Sequence, residues 1–93
     1  MVKINNGATH ELKTWPRFFK DVEMGLKTFE IRKDDRGFEV DDYLNLREWD
    51  PGAGTYTGKK LRVRVTYIVR PDVALVASML QPGHCVLGIE VQR

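Results

Sequence analysis

From Lys59 to Arg70 the chain alternates almost without interruption, with Leu61, Val63, Val65, Tyr67 and Val69 at one parity and Lys60, Arg62, Arg64, Thr66, Ile68 and Arg70 at the other. Side chains of a strand point to opposite faces in turn, so the pattern calls for a sheet with one face on a core and a charged face outside. The first parity belongs to the core. The basic parity admits two readings: a track for phosphates, in which Lys60, Arg62 and Arg64 bind a nucleic-acid backbone by charge and bidentate hydrogen bonds, or a strand guarded by charge against edge pairing.

The other segments are shorter and turn-rich. His10 to Lys13 reads as a strand with Leu12 inward. Thr14-Trp15-Pro16 opens a helix in which Thr14 caps the free amides and Pro16 occupies the first turn, where its missing N–H costs nothing. Trp15, Phe18, Phe19 and Val22 then form one apolar stripe expected to lie on the sheet, and Gly25 ends the helix. Tyr43 to Asp50 alternates with Leu44 and Leu46 inward. Glu48 shares their parity, so its carboxylate needs a partner, either at a barrel mouth or within a site. Asp50 to Gly58 reads as a turn-rich loop, the expected mobile element, flanked by Trp49 and Tyr56. These rings either pack on each other across the strands or offer a stacking platform for a base. Pro71-Asp72 breaks the long strand, Val73 to Leu80 is expected as a short helix plugging the core, and Cys85 to Val91 is a final strand with Leu87, Ile89 and Val91 inward. Five to six strands, two helices and no βαβ alternation give an α+β, mostly β chain: a small, mainly antiparallel barrel or barrel-like sheet. Asn5-Asn6-Gly7 signals a turn, so residues 1–9 read as an N-terminal extension and 10–93 as the domain.

With 93 residues, 42% hydrophobic and 30% charged, the chain has material for one modest core and is not a disordered tail. A net charge of +2 neither demands nor excludes a polyanion, because a local patch matters more than the sum. The single cysteine, Cys85, has no disulfide partner, which favours a reducing, cytoplasmic setting. Two histidines, His10 and His84, are a poor metal case, and no cofactor is expected. No apolar run approaches the length of a membrane span, and Lys3 is not followed by the apolar core of a signal peptide.

The remaining stretch, Gly25-Leu26-Lys27-Thr28-Phe29-Glu30-Ile31-Arg32, places Thr28, Glu30 and Arg32 on one face of a strand and Phe29 and Ile31 on the other, where the apolar pair is expected to anchor it. On alternation alone, Glu30 and Arg32 are a same-face ion pair on a solvated strand. The pattern Gly-x-Lys-x-x-Glu-x-Arg, however, resembles the signature of the ASCH domains, a branch of the PUA-like barrel superfamily. His10-Glu11-Leu12-Lys13, Lys33-Asp34-Asp35-Arg36 and Tyr56-Thr57-Gly58 are similar to one subgroup of small uncharacterised proteins, DUF3850. The resemblance runs from about His10 to Val91. It implies a PUA-like β-barrel with a helix on its side and a ligand groove beside the polar strand, involving Lys27, Glu30 and Arg32, with His10, Lys13 and Asp35 in support. The function it implies is binding of RNA or a nucleotide, with Lys27 and Arg32 on phosphate or a base acceptor, Glu30 accepting from a base N–H, and Trp49 or Tyr56 stacking. Some ASCH relatives are amidohydrolases, but the position of their proposed threonine nucleophile is Glu30 here, and that assignment does not transfer. A nuclease using Lys27 and Glu30, and a protein-interaction module, stand as the alternatives.

Overall fold

The alternating segment does form the centre of the sheet. The computed structural model describes residues 7–93, in the order β1 (Thr9–Thr14), α1 (Pro16–Glu23), β2 (Phe29–Lys33), β3 (Tyr43–Asp50), β4 (Thr55–Val69), α2 (Ala74–Ala77) and β5 (His84–Val91). The five strands make one sheet in the order β1-β3-β4-β5-β2, with β1 parallel to β3 and every other pair antiparallel. The result is a small, mostly β half-barrel with two short helices, as expected. Asn5 and Asn6 of the anticipated turn lie outside the described residues.

No ladder joins the edge strands β1 and β2. Two guanidinium groups span the gap instead: Arg32 Nη2 donates to Lys13 O at 2.8 Å and Arg36 Nη1 to Glu11 O at 2.8 Å. Long side chains thus satisfy edge carbonyls that a closed barrel would pair through its backbone.

Two irregularities in β4 decide which of its residues face the core. Between the pairs Arg47↔Lys60 and Trp49↔Tyr56, Thr57, Gly58 and Lys59 stand opposite the single residue Glu48. Gly58 makes this possible with φ of 96°, a conformation that costs glycine little. The bulge turns the Thr57 hydroxyl toward buried Glu48, to whose Oε1 it donates at 2.8 Å, so the inward carboxylate has its partner inside the fold. The second irregularity lies between Val65↔Ile89 and Tyr67↔Gly88, where one extra residue, Thr66, enters β4. An extra residue inverts the parity of all that follow. Tyr67, expected inside, is therefore 67% exposed, and Ile68, expected outside, packs against the core.

The apolar stripe of α1 is narrower than the spacing suggested. Phe19 and Val22 are buried, and the helix packs on β3, whereas Trp15 and Phe18 are exposed. Trp15 occupies the N-cap without a side-chain cap; Thr14 belongs to β1, with its hydroxyl turned inward. Gly25, with φ of 77°, ends the helix as expected. The hairpin joining β3 and β4 is shorter than the anticipated loop: Asp50 Oδ1 accepts from Gly52 N at 2.9 Å and Ala53 N at 3.2 Å, leaving only residues 51–54 outside the strands. Nor is the segment after Pro71 a plug. The helix α2 has four residues, none buried, and Leu75 is 71% exposed. Its place is taken by Phe38, whose loop is fixed by Asp42: this buried carboxylate accepts from Ala8 N, Glu39 N and His10 Nε2.

Candidate ligand-binding groove

The open side of the half-barrel, between the end of β1, the start of α1 and β2, is a groove of about 610 Å³ lined by Lys13, Thr14, Trp15, Phe18, Lys27, Phe29, Glu30, Ile31 and Arg32. The polar strand is turned over relative to the expectation. Glu30 is the inward residue, only 4% exposed, while Phe29 and Ile31 are 43% and 59% exposed. Burial of the carboxylate rather than the apolar pair follows from its partners. Lys27 Nζ donates to Oε1 at 2.7 Å, and Arg32 donates to Oε2 through Nε at 3.1 Å and Nη2 at 2.9 Å. A charge enters a protein interior when it is paired and hydrogen-bonded, and Glu30 has both conditions met.

Each cation is also held from outside the pair. The turn after α1 presents Lys27: Asp21 O accepts from both Leu26 N and Lys27 N, and Lys27 Nζ additionally donates to Phe29 O at 2.7 Å. Arg32 is held by Lys13 O and, at 3.4 Å, by the Thr14 hydroxyl. With both carboxylate oxygens engaged, Glu30 holds the Lys27 and Arg32 side chains beside the groove. The groove is cationic on its floor and apolar on its walls, where the Phe18 and Phe29 rings lie 5.4 and 5.0 Å from Lys27 Nζ. Such a lining suits a planar ligand that carries an anionic or carbonyl acceptor.

Of the residues expected at the site, Lys27, Glu30, Arg32 and Lys13 come together here. His10 does not line the groove. Its Nε2 lies 2.9 Å from Asp42 Oδ2, and its ring meets Phe38 edge-on at 4.8 Å, so it braces the 38–42 loop. Asp35 is exposed, with Arg36 3.9 Å away; its neighbour Asp34 instead pairs with Arg70 at 2.6 Å. That contact raises the already high pKa of Arg70. Trp49 and Tyr56 pack against each other at 4.9 Å on the outer face of the sheet, where Lys13 Nζ lies 4.0 Å from the Trp49 ring. Lys60 and Arg62 are exposed on that face, whereas Arg64 pairs with Asp41 and stands 4.0 Å from Glu90. Cys85 is buried, and burial pushes its thiol pKa up from the ordinary 9.0, with Asp34 adding to the shift.

Sequence reasoning set core above base stacking for the α1 stripe and made Phe29 and Ile31 the strand's anchor, whereas Trp15, Phe18, Phe29 and Ile31 are groove walls. Lys27 and Arg32 together neutralise Glu30, so the carboxylate can turn inward, which sends Phe29 and Ile31 out.

The fold and the groove define a class: a mostly β half-barrel that presents a cation-floored, aromatic-walled cleft at its open side. The particular family follows from comparison with known sequences. The model of the DUF3850 family, a domain of unknown function, matches residues 9–89. An uncharacterised 12.9 kDa protein from the GpA 3′ region of Escherichia phage P2 is 42% identical over 82 residues, covering 85% of this chain and 69% of the phage protein. The chain belongs to the DUF3850 family.

Proposed function

We propose that this protein is a small nucleotide- or RNA-binding module of the ASCH branch of the PUA-like superfamily, acting in a reducing cytoplasm. The observation that carries the reading is the ion triad Lys27–Glu30–Arg32 on the floor of a groove walled by exposed aromatic rings. The two cations supply donors for a phosphate or a base carbonyl, and Trp15, Phe18 and Phe29 offer faces on which a base stacks. Glu30 serves as the buried anchor that aims both donors, a role that supports binding rather than hydrolysis. The half-barrel and the placement of Gly-x-Lys-x-x-Glu-x-Arg along the groove support the superfamily assignment.

Titration of the protein with the four common ribonucleoside monophosphates and with short RNAs, followed by amide chemical shifts, tests this. Ligand-dependent shifts are expected at residues 13–18 and 27–32. Trp15→Ala removes an exposed ring and is expected to weaken binding by about 1–3 kcal/mol, the usual value of a base–aromatic stack, without lowering the melting temperature appreciably. Absence of shifts with every ligand, or affinity unchanged in both Trp15→Ala and Lys27→Ala, is the result that would overturn the reading.

A further inference from the structure

The outer face of β1, β3 and β4 carries a second feature that the groove does not explain. Lys13, Arg47 and Lys60 stand opposite one another across three neighbouring strands, through the pairs Lys13↔Arg47 and Arg47↔Lys60. Strands of a sheet lie about 4.8 Å apart, so the row concentrates three cations within roughly 10 Å. Like charges directly opposite each other destabilise a sheet. Among the described residues, none of the three makes an ion pair with a carboxylate. Glu11, the acidic residue of the same face of β1, is one row away, opposite Asn45.

Aromatic rings hold two of these cations instead, Lys13 and Arg47, and also Arg62 of the next row. Lys13 Nζ lies 4.0 Å from the Trp49 ring centre, Arg47 Cζ 3.8 Å from that of Tyr56, and Arg62 Cζ 4.1 Å from that of Tyr43. Ring contacts of this kind restrict a long side chain without neutralising it, so the charges remain available to a ligand and lose less freedom on binding it. Trp49 and Tyr56, packed edge-on against each other, thus each carry a cation of the row at the ring face. Lys13, at one end of the row, is also a wall of the groove.

We propose that the row is the backbone track of a single-stranded nucleic acid, which crosses β4, β3 and β1 with its phosphates on Lys60, Arg47 and Lys13 and delivers an unpaired base to the groove. The track deepens the groove reading and rests on it for the base end alone. A single strand is favoured over a duplex because only an unpaired base can enter an aromatic-walled groove.

The test is fluorescence anisotropy with a labelled hexanucleotide, as RNA and as DNA, and with its duplex, across a salt titration, for the parent, Arg47→Gln/Lys60→Gln and Lys27→Ala. Mononucleotide titration by amide shifts runs alongside. Three neutralised phosphates give the parent a log–log salt slope of about −2 on single strands, at about 0.7 per phosphate. The double glutamine variant, which keeps much of the side-chain stems, should lose about two-thirds of that slope while binding mononucleotides as the parent does. An unchanged slope in that variant, or duplex binding as tight as single-strand binding, overturns the track. A row-dependent slope without mononucleotide binding supports the track and overturns the groove reading. Mononucleotide binding that depends on Lys27, with an oligonucleotide slope indifferent to Arg47 and Lys60, does the opposite.

Discussion

Glu30 shows how a single residue can organise a site by being buried. Its carboxylate is almost inaccessible and bound on both oxygens by cations whose own side chains are 16% and 23% exposed. Removing one partner from a buried pair leaves an uncompensated charge, which typically costs about 3–5 kcal/mol. Glu30→Ala should therefore lose both binding and stability, while Lys27→Ala, which leaves Glu30 its two hydrogen bonds from Arg32, should lose mainly binding; thermal melts paired with ligand titration separate the two. Phe19→Ala gives the reference for a core defect, with about 3–5 kcal/mol expected in urea unfolding. Cys85 belongs to the same scale. Its buried thiol should resist a disulfide reagent at about pH 8 until denaturant is added. Since its folded pKa is raised, the unfolded thiol ionises first as pH rises above about 9, and stability falls from there through the folded value. Cys85→Ala should remove that part of the alkaline loss, read as the change in urea midpoint with pH.

Among the elements, β4 carries the most consequence, because its two bulges set both faces of the sheet. Gly88 sits where the second bulge brings β4 close. A Cβ there would meet the Thr66 hydroxyl at 3.0 Å and Tyr67 Cβ at 3.3 Å. Gly88→Ala is expected to destabilise by about 1–3 kcal/mol, the usual cost of overpacking. A melting temperature equal to the parent's would show that the bulge yields without cost. Asp34 and Arg70 tie the end of β4 to the segment after β2, and Arg70 Nη2 also donates to Phe38 O at 2.7 Å. The motif Lys33-Asp34-Asp35-Arg36 is therefore structural at Asp34 and Arg36, and Tyr56-Thr57-Gly58 is a bulge with a hydroxyl partner for Glu48.

At the scale of the molecule, an incomplete barrel places the groove where its two edges fail to pair. Arg32 serves both structures at once, bridging to β1 and lining the groove, whereas Arg36 only bridges. Arg36→Ala should accordingly speed amide hydrogen exchange in β1 relative to β3 and β4 while leaving groove affinity within about twofold, because an exposed side-chain bond of this kind contributes on the order of 1 kcal/mol. Uniform exchange rates across the sheet would assign the closure to packing alone.

The mostly β architecture, the terminus of α1 at Gly25 and the inward leucines of β3 were legible in the sequence because each is set by local periodicity or by one backbone conformation. The motif stretch stood out through its resemblance to the ASCH signature, since alternation alone reads it as a solvated ion pair. Which way that strand faced was not legible: alternation fixes which residues share a side but not which side is buried, and the choice went to the face of Glu30, whose charge Lys27 and Arg32 neutralise. The parity change after Thr66, the distribution of β1 residues between Asp42 and the groove, and the row Lys13–Arg47–Lys60 were likewise decided by strand pairing. Register between distant segments is a property of the sheet they form together, and no single segment carries it.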